Sequence, residues 1–395
     1  VTTLTPEIEP SPPRFERVIG SFRGDAPGPS VVCVGGIHGN EVSGIHALRR
    51  VLRLLEKRRP PFRGELVGIA GNLAALERGD RYLAEDLNRV WTPERIEAVR
   101  ELAPDHFTTI EHEEMWGLLS ALDDAFARSR GESYFLDLHT SSASGGPFVL
   151  LGDTIRNRRL AFRFPAPVIL GLEETIDGVL LEYVNSLGHV TLGFEAGQHD
   201  DPVSIDNQES AIWIGLLHAG CVDAKDVPEA TAARDRLSEN TRSLPRVLEL
   251  RYRRPVSPDD DFVMRPGYLN FHPVTAGEVI AKDRRGDVAV RETGRLLLPL
   301  YQGKGSDGYF LARDVRPFWL WVSSVLRHLH AHHLVRILPG VWRHPKKPDT
   351  FVVNRRVARW FPMQILHLLG FRKVREEGDT LTVSRRRYDL KSPGA

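Results

Sequence analysis

The heptapeptide Gly35-Gly36-Ile37-His38-Gly39-Asn40-Glu41 sets an imidazole and a carboxylate three residues apart. On a glycine-loosened turn both side chains can point at one centre, and both suit Zn²⁺. Zinc needs a third ligand, and His139, in Asp137-Leu138-His139-Thr140, is the natural candidate. Asp137 can orient one of the metal histidines from behind. Three protein ligands leave a fourth position for water, the arrangement of catalytic rather than structural zinc. Phe194-Glu195-Ala196-Gly197 supplies a carboxylate suited to act as general base on that water. Arg81-Tyr82-Leu83-Ala84-Glu85-Asp86-Leu87-Asn88-Arg89 adds two guanidinium groups and an amide within nine residues. Such a set can grip a carboxylate and a developing oxyanion.

These residues need elements to position them. Val31 to Val34 is a short β-branched run that predicts a buried strand entering the Gly35-Gly36 turn. The spacing predicts a helix over Glu41–Glu56, a strand over Glu65–Ala70 and an amphipathic helix over Glu111–Arg128. Further strands are expected at Tyr134–Leu138, ending at His139, and at His189–Phe194, ending at Glu195, with a returning helix within Gly197–Ala219. Strands alternating with helices predict a largely parallel sheet covered on both faces. Open sheets of this kind place their sites at strand C-termini, where these candidates fall.

Together the ordered pieces GGIHGNE, RYLAEDLNR, DLHT and a strand ending in Glu195 resemble the succinylglutamate desuccinylase/aspartoacylase family, a branch of the zinc-carboxypeptidase-like hydrolases. The resemblance runs in order from His38 to about Gly197. It implies an α/β fold: a mixed, largely parallel sheet flanked by helices, followed by a small C-terminal all-β module that shapes the pocket. It assigns one zinc per chain to His38, Glu41 and His139. Glu195 matches the carboxylate that deprotonates the water and reprotonates the leaving amine. Arg81 matches the arginine that polarises the scissile carbonyl, and Asn88 and Arg89 the pair that binds the α-carboxylate. Asp86 resembles a positioning residue for that loop. Family pockets also take a tyrosine from the β module, for which Tyr309 is the candidate, beside Tyr301. In one respect the chain departs from the pattern. The family places an arginine shortly before the catalytic glutamate to hold a side-chain carboxylate, but no Arg occurs between Phe164 and Ala233. A buried carboxylate without a partner costs several kcal/mol, so N-acetylaspartate is disfavoured.

The implied reaction is hydrolysis of a small N-acyl amino acid with a free carboxylate. A metallocarboxypeptidase acting on peptide C-termini would use the same zinc, base and clamp. A third reading, a non-catalytic protein binding polyanions, rests on charge. The 395 residues carry a net charge of only +1, yet Leu311 to Ala395 holds 17 Lys+Arg against 6 Asp+Glu. The body is therefore acidic and the end basic. Nucleic acid or a membrane surface is one outlet for that basic segment. The preferred one is docking on the acidic body, by covering the apolar stripe formed by Trp319, Trp321, Leu326, Leu329 and Leu334, or pairing of two subunits into a homo-oligomer.

Composition excludes other classes. An apolar fraction of 41% and 27% charged residues suit a globular chain rather than a disordered one. No window approaches the run of about 18 apolar residues that a membrane span needs. Two cysteines make no disulfide framework, and Cys33 lies in an apolar strand as a buried thiol. Val1 to Phe22 is Pro-rich rather than basic then apolar, which predicts a cytoplasmic address. The expected organisation is a catalytic domain over 1–245, the β module over 246–313 and a basic α+β extension over 314–395. The extension should open with a helix in Val315–Leu338 and close with a helix and a hairpin around Glu377-Gly378.

Overall fold

The computed structural model describes residues 15–102, 106–347, 349–354, 356–357 and 363–393. The N-terminal reading thus lies largely outside the described residues. The chain opens β1 (Val18–Arg23), β2 (Ala26–Gly35), α1 (Ser43–Arg58), β3 (Arg63–Ala70), α2 (Leu73–Arg78), α3 (Pro93–Glu101) and α4 (Ile110–Ala127). It continues with β4 (Ser133–Ser141), β5 (Phe148–Leu150), α5 (Ile155–Ala161), β6 (Val168–Leu170), α6 (Leu180–Ser186), β7 (Val190–Gln198), α7 (Val203–Ala219), α8 (Pro228–Thr241) and β8 (Val247–Pro255). β3, β2, β4 and β7 are consecutive parallel neighbours in the sheet, with β1 beyond β3 at its edge.

Both faces of these strands are covered, which is why they read as continuous apolar runs. Val31, Cys33, Leu136 and Phe194 pack in one cluster with side chains of α1 and α7. Their alternates Val32, Val34 and Phe135 pack in the other with α4. The period of two that separates these sets also puts Asp137 and His139 on one face of β4.

Two of the expected strands run further than their apolar stretches. β4 extends through His139 to Ser141, and β7 through Glu195 to Gln198. The extra length has a pairing partner. His139 and Glu195 are register neighbours across β4 and β7, and β5 adds antiparallel bonds with Phe148 opposite Glu195. The two polar residues are thus held by ladder hydrogen bonds on both sides of β7 rather than by loops.

Beyond β8 come β9 (Val263–Met264), β10 (Pro273–Val274), β11 (Val279–Asp283), β12 (Gly286–Ala289), β13 (Gly294–Leu297) and β14 (Asp307–Asp314). β14, β13 and β10 continue the main sheet antiparallel from β8, while β12, β11 and β9 form a small sheet of their own. The last part contains α9 (Pro317–His328), a 3-10 segment at Ala331–Ile337, β15 (Val341–Arg343), β16 (Thr350–Asn354), α10 (Met363–Leu368), β17 (Phe371–Glu377) and β18 (Thr380–Arg385). The helix expected to reach Leu338 stops at His328, because His330 takes a left-handed backbone (φ 54°). Arg327 from α9 reaches Asp153 of the body at 2.8 Å. Arg386 meets Glu174 at 2.7 Å, and His367 meets Glu174 at 2.8 Å and Glu249 at 3.4 Å. The segment is therefore fastened by charge, and among the described residues only Leu326 of the expected apolar stripe is covered, by the cluster around Phe371. Trp319, Trp321, Leu329 and Leu334 are exposed.

Candidate active site

The turn that follows β2 carries His38 and Glu41 into the centre of the molecule. Gly36 adopts φ 72°, a left-handed backbone open to glycine. Gly39 lies so close to the Ala75 backbone that a Cβ would sit 2.1 Å from its carbonyl carbon. The turn is pinned by backbone bonds from Gly39 N to Arg81 O (3.1 Å) and from Glu41 N to His38 O (3.1 Å).

Glu41 is the hub. Its Oε1 lies 2.8 Å from His38 Nδ1 and its Oε2 3.1 Å from His139 Nδ1. The Thr140 backbone N–H donates to Oε2 at 2.9 Å, and Arg81 donates to Oε1 at 3.4 Å. Each imidazole turns its other nitrogen to a carboxylate: His38 Nε2 to Asp86 at 3.0 Å, and His139 Nε2 to Asp137 at 3.0 Å. Burial alone would push the Glu41 carboxyl up, but the two imidazoles hold it well below the usual carboxylate range. His139 is raised well above the ordinary imidazole value despite its burial, by Asp137 and Glu41.

These residues fit a zinc ion. One donor atom from each of His38, Glu41 and His139 comes within 4.8 Å of the others, and all three side chains are buried. The facing nitrogens are Nδ1 in both histidines, while Asp86 and Asp137 hold the Nε2 sides, the backing that metal-binding imidazoles usually have. Among the other buried atoms of the cleft, Glu195 Oε2 and Arg81 Nε have no hydrogen-bond partner among the described residues. Burial is the main force on Glu195. It pushes the carboxyl up to about 8, with Glu41 and Asp137 adding to it and His139 and Arg81 opposing.

The second loop stands on the 3-10 turn Leu87–Arg89, capped by Asp86, whose side chain accepts from Asn88 N at 2.9 Å. Asp86 thereby links Arg81 (3.2 Å), His38 and the turn. Asn88 accepts from Leu180 N at 2.8 Å through Oδ1. Arg89 enters the cleft already paired with Asp307, at 2.9 Å, and Asp307 is also gripped by Arg253 of β8. All of His38, Glu41, Arg81, Asn88, Arg89, Asp137, His139 and Glu195 line one cavity.

Tyr309 does not join them. It is buried inside the β module, its ring 5.9 Å from that of Tyr252. Alternation along β14 turns Phe310 toward the cavity instead. Tyr301 is partly exposed, and its hydroxyl donates to the Arg265 carbonyl at 2.8 Å. Sequence reading missed Asp307, Phe310 and Gln302, which the β module contributes from far along the chain and which no local motif announces. It also missed His199, which touches Thr140 Oγ1 at 2.7 Å and lies only four residues past Glu195.

Residues 27–211 match the succinylglutamate desuccinylase/aspartoacylase catalytic domain. A probable aspartoacylase from a Nostoc strain is 30% identical over 124 residues, 31% of this chain and 39% of its own length. A succinylglutamate desuccinylase from Burkholderia thailandensis is 29% identical over 112 residues, 28% of this chain and 31% of its own. The aligned stretch therefore spans well under half of either relative. In three dimensions, a succinylglutamate desuccinylase/aspartoacylase from Rhodobacter sphaeroides superposes with a TM-score of 0.55 at 18% identity, covering 76% of this chain and 88% of the other. The succinylglutamate desuccinylase from Chromobacterium violaceum gives 0.51 at 20%, covering 75% and 88%. The fold is shared across that span, and the stretch from β2 into α7 belongs to the succinylglutamate desuccinylase/aspartoacylase family.

Proposed function

We propose that the chain is a zinc-dependent hydrolase that cleaves the amide bond of a small N-acyl amino acid in the cytoplasm. One observation carries the reading: three buried donors, each histidine backed by its own aspartate, share a cavity with an unpartnered buried glutamate. When bound there, zinc would polarise the scissile carbonyl and make water acidic enough to attack near neutral pH. Glu195 accepts the proton of the attacking water on its free oxygen and returns it to the departing nitrogen. Arg81, fixed by Glu41 and Asp86, donates to the oxyanion that develops on the carbonyl. Asn88 faces the substrate carboxylate. Arg89 assists less than the resemblance implies, because Asp307 already neutralises it.

The same cavity argues for an uncharged substituent. Among its described lining residues, the only guanidinium groups are Arg81 and Arg89, and both are paired with carboxylates of the chain. Its remaining wall includes Leu150, Ile176, Val179, Leu298, Leu300 and Phe310. An acidic acyl group or side chain would be desolvated there without a free partner, whereas an aliphatic or aromatic one would bury apolar surface. Leu298, Leu300 and Phe310 come from the β module and narrow the cleft, which favours small amides over peptide C-termini.

Metal content tests the reading directly. Elemental analysis of the purified chain should find about one zinc per chain, lost in His139→Ala. A wild type that takes up no metal even when zinc is supplied would sink the hydrolase proposal.

A further inference from the structure

Helix α9 faces its apolar side outward. The side chains it buries are Leu320, Ser323 and Arg327, and two of these three are polar. Arg327 meets Asp153 at 2.8 Å and Asp389 at 3.2 Å, and Ser323 Oγ donates to the Leu368 carbonyl at 3.0 Å. On the opposite side, Phe318, Trp321, Val325 and Leu329 recur at helical spacing as one stripe. Trp321 is 64% exposed and Leu329 73%. Trp319 packs against Phe318 with ring centroids 5.4 Å apart and widens the stripe. Leu334, Ile337 and Trp342, in the next two elements, are exposed as well. A surface helix ordinarily does the reverse, and contiguous exposed apolar surface of this kind marks a contact site.

Charge selects the contact. From Arg316 to Lys347 the sequence has no Asp or Glu. Arg316, Arg336, Arg343, Lys346 and Lys347 are exposed, and none makes an ion pair among the described residues. Arg327 and Arg386, by contrast, are each paired with the body. A second copy seated on this face in a two-fold arrangement would bring like cations together. Nucleic acid would suit the cations and the aromatic rings, but it has nothing for Val325, Leu329, Leu334 and Ile337. An anionic bilayer satisfies both sets: headgroups meet the arginines and lysines, tryptophans sit at the interface, and aliphatic side chains enter the acyl boundary.

We propose that the α9–β15 face docks the protein on the surface of an anionic bilayer. The contact lies in the plane of the membrane, for no helix among the described residues is long and apolar enough to cross it.

Flotation of the full chain with vesicles tests this. Phosphatidylcholine alone is compared with phosphatidylcholine mixed with phosphatidylglycerol. The chain should float with the mixed vesicles, its tryptophan emission should shift to the blue, and added salt should weaken the binding. The double variant Trp319→Ser/Trp321→Ser should bind at least about tenfold less while melting at the wild-type temperature, because both side chains are exposed. Lys346→Glu/Lys347→Glu should lose binding mainly at low salt. No flotation with the mixed vesicles would overturn the proposal, as would a tryptophan variant that floats like wild type. Sedimentation showing a dimer that the tryptophan variant dissolves, without vesicle binding, would assign the face to self-association instead. Nucleic-acid binding without vesicle binding would likewise overturn it.

Discussion

Glu195 is held by strand pairing with one carboxylate oxygen left without a partner, the position a proton carrier needs. Replacing it with Gln keeps the shape and removes the proton acceptor. Glu195→Gln should retain zinc by elemental analysis yet lower amide turnover by at least about a hundredfold. Near-wild-type turnover would remove Glu195 from the reaction. Asp307 acts on substrate binding rather than on chemistry. Asp307→Asn frees part of Arg89 for the substrate α-carboxylate, so KM for N-acyl amino acids should fall by about tenfold, the scale of a charge-assisted hydrogen bond, with kcat little changed. An unchanged KM would show that Arg89 does not read the substrate.

At the scale of elements, the site is a turn and two strands brought to one end of the sheet. The turn depends on a close approach that only glycine allows at position 39. Gly39→Ala would press a methyl group into the Ala75 backbone and shift both His38 and Glu41. We expect a destabilisation of about 1–3 kcal/mol, as for other overpacked sites, with a lower zinc content. Thermal melting and elemental analysis on the same sample check both. The strands contribute precision of another kind. Asp137 and His139 share a face of β4, and His139 stands beside Glu195 across the ladder. A one-residue slip in that pairing would turn the His139 side chain into the apolar layer.

The whole molecule is joined by charge between its acidic body and its basic end. His367 shows how that junction responds to pH. Burial would lower its pKa, but Glu174 and Glu249 raise it to about 9. In the unfolded chain an imidazole titrates near about 6.5. Its contribution to stability is therefore complete below about pH 6.5 and disappears as the pH rises through about 9. Melting followed from pH 6 to 10 should show that loss, and His367→Gln should flatten it. A wild-type profile no steeper than the variant's would place the junction elsewhere.

The amino-acid sequence determined the parts that depend on local order. Apolar runs closed by glycine pairs identified the strands, and His38, Glu41, Asp137, His139 and Glu195 stood out in short motifs at strand ends, because period and turn chemistry act over a few residues. The tertiary structure decided which distant groups meet. Arg89 and Asp307 lie 218 residues apart, and nothing in either neighbourhood shows that they pair and neutralise the cleft. Tyr309 and Phe310 are adjacent aromatics, and only the register of β14 against β8 chooses which of them faces the cavity. The orientation of α9 was equally hidden. Its apolar residues suggest burial by composition alone, but Arg327 and Asp153 attract each other more specifically than two apolar faces do, and that pairing leaves the tryptophans outside.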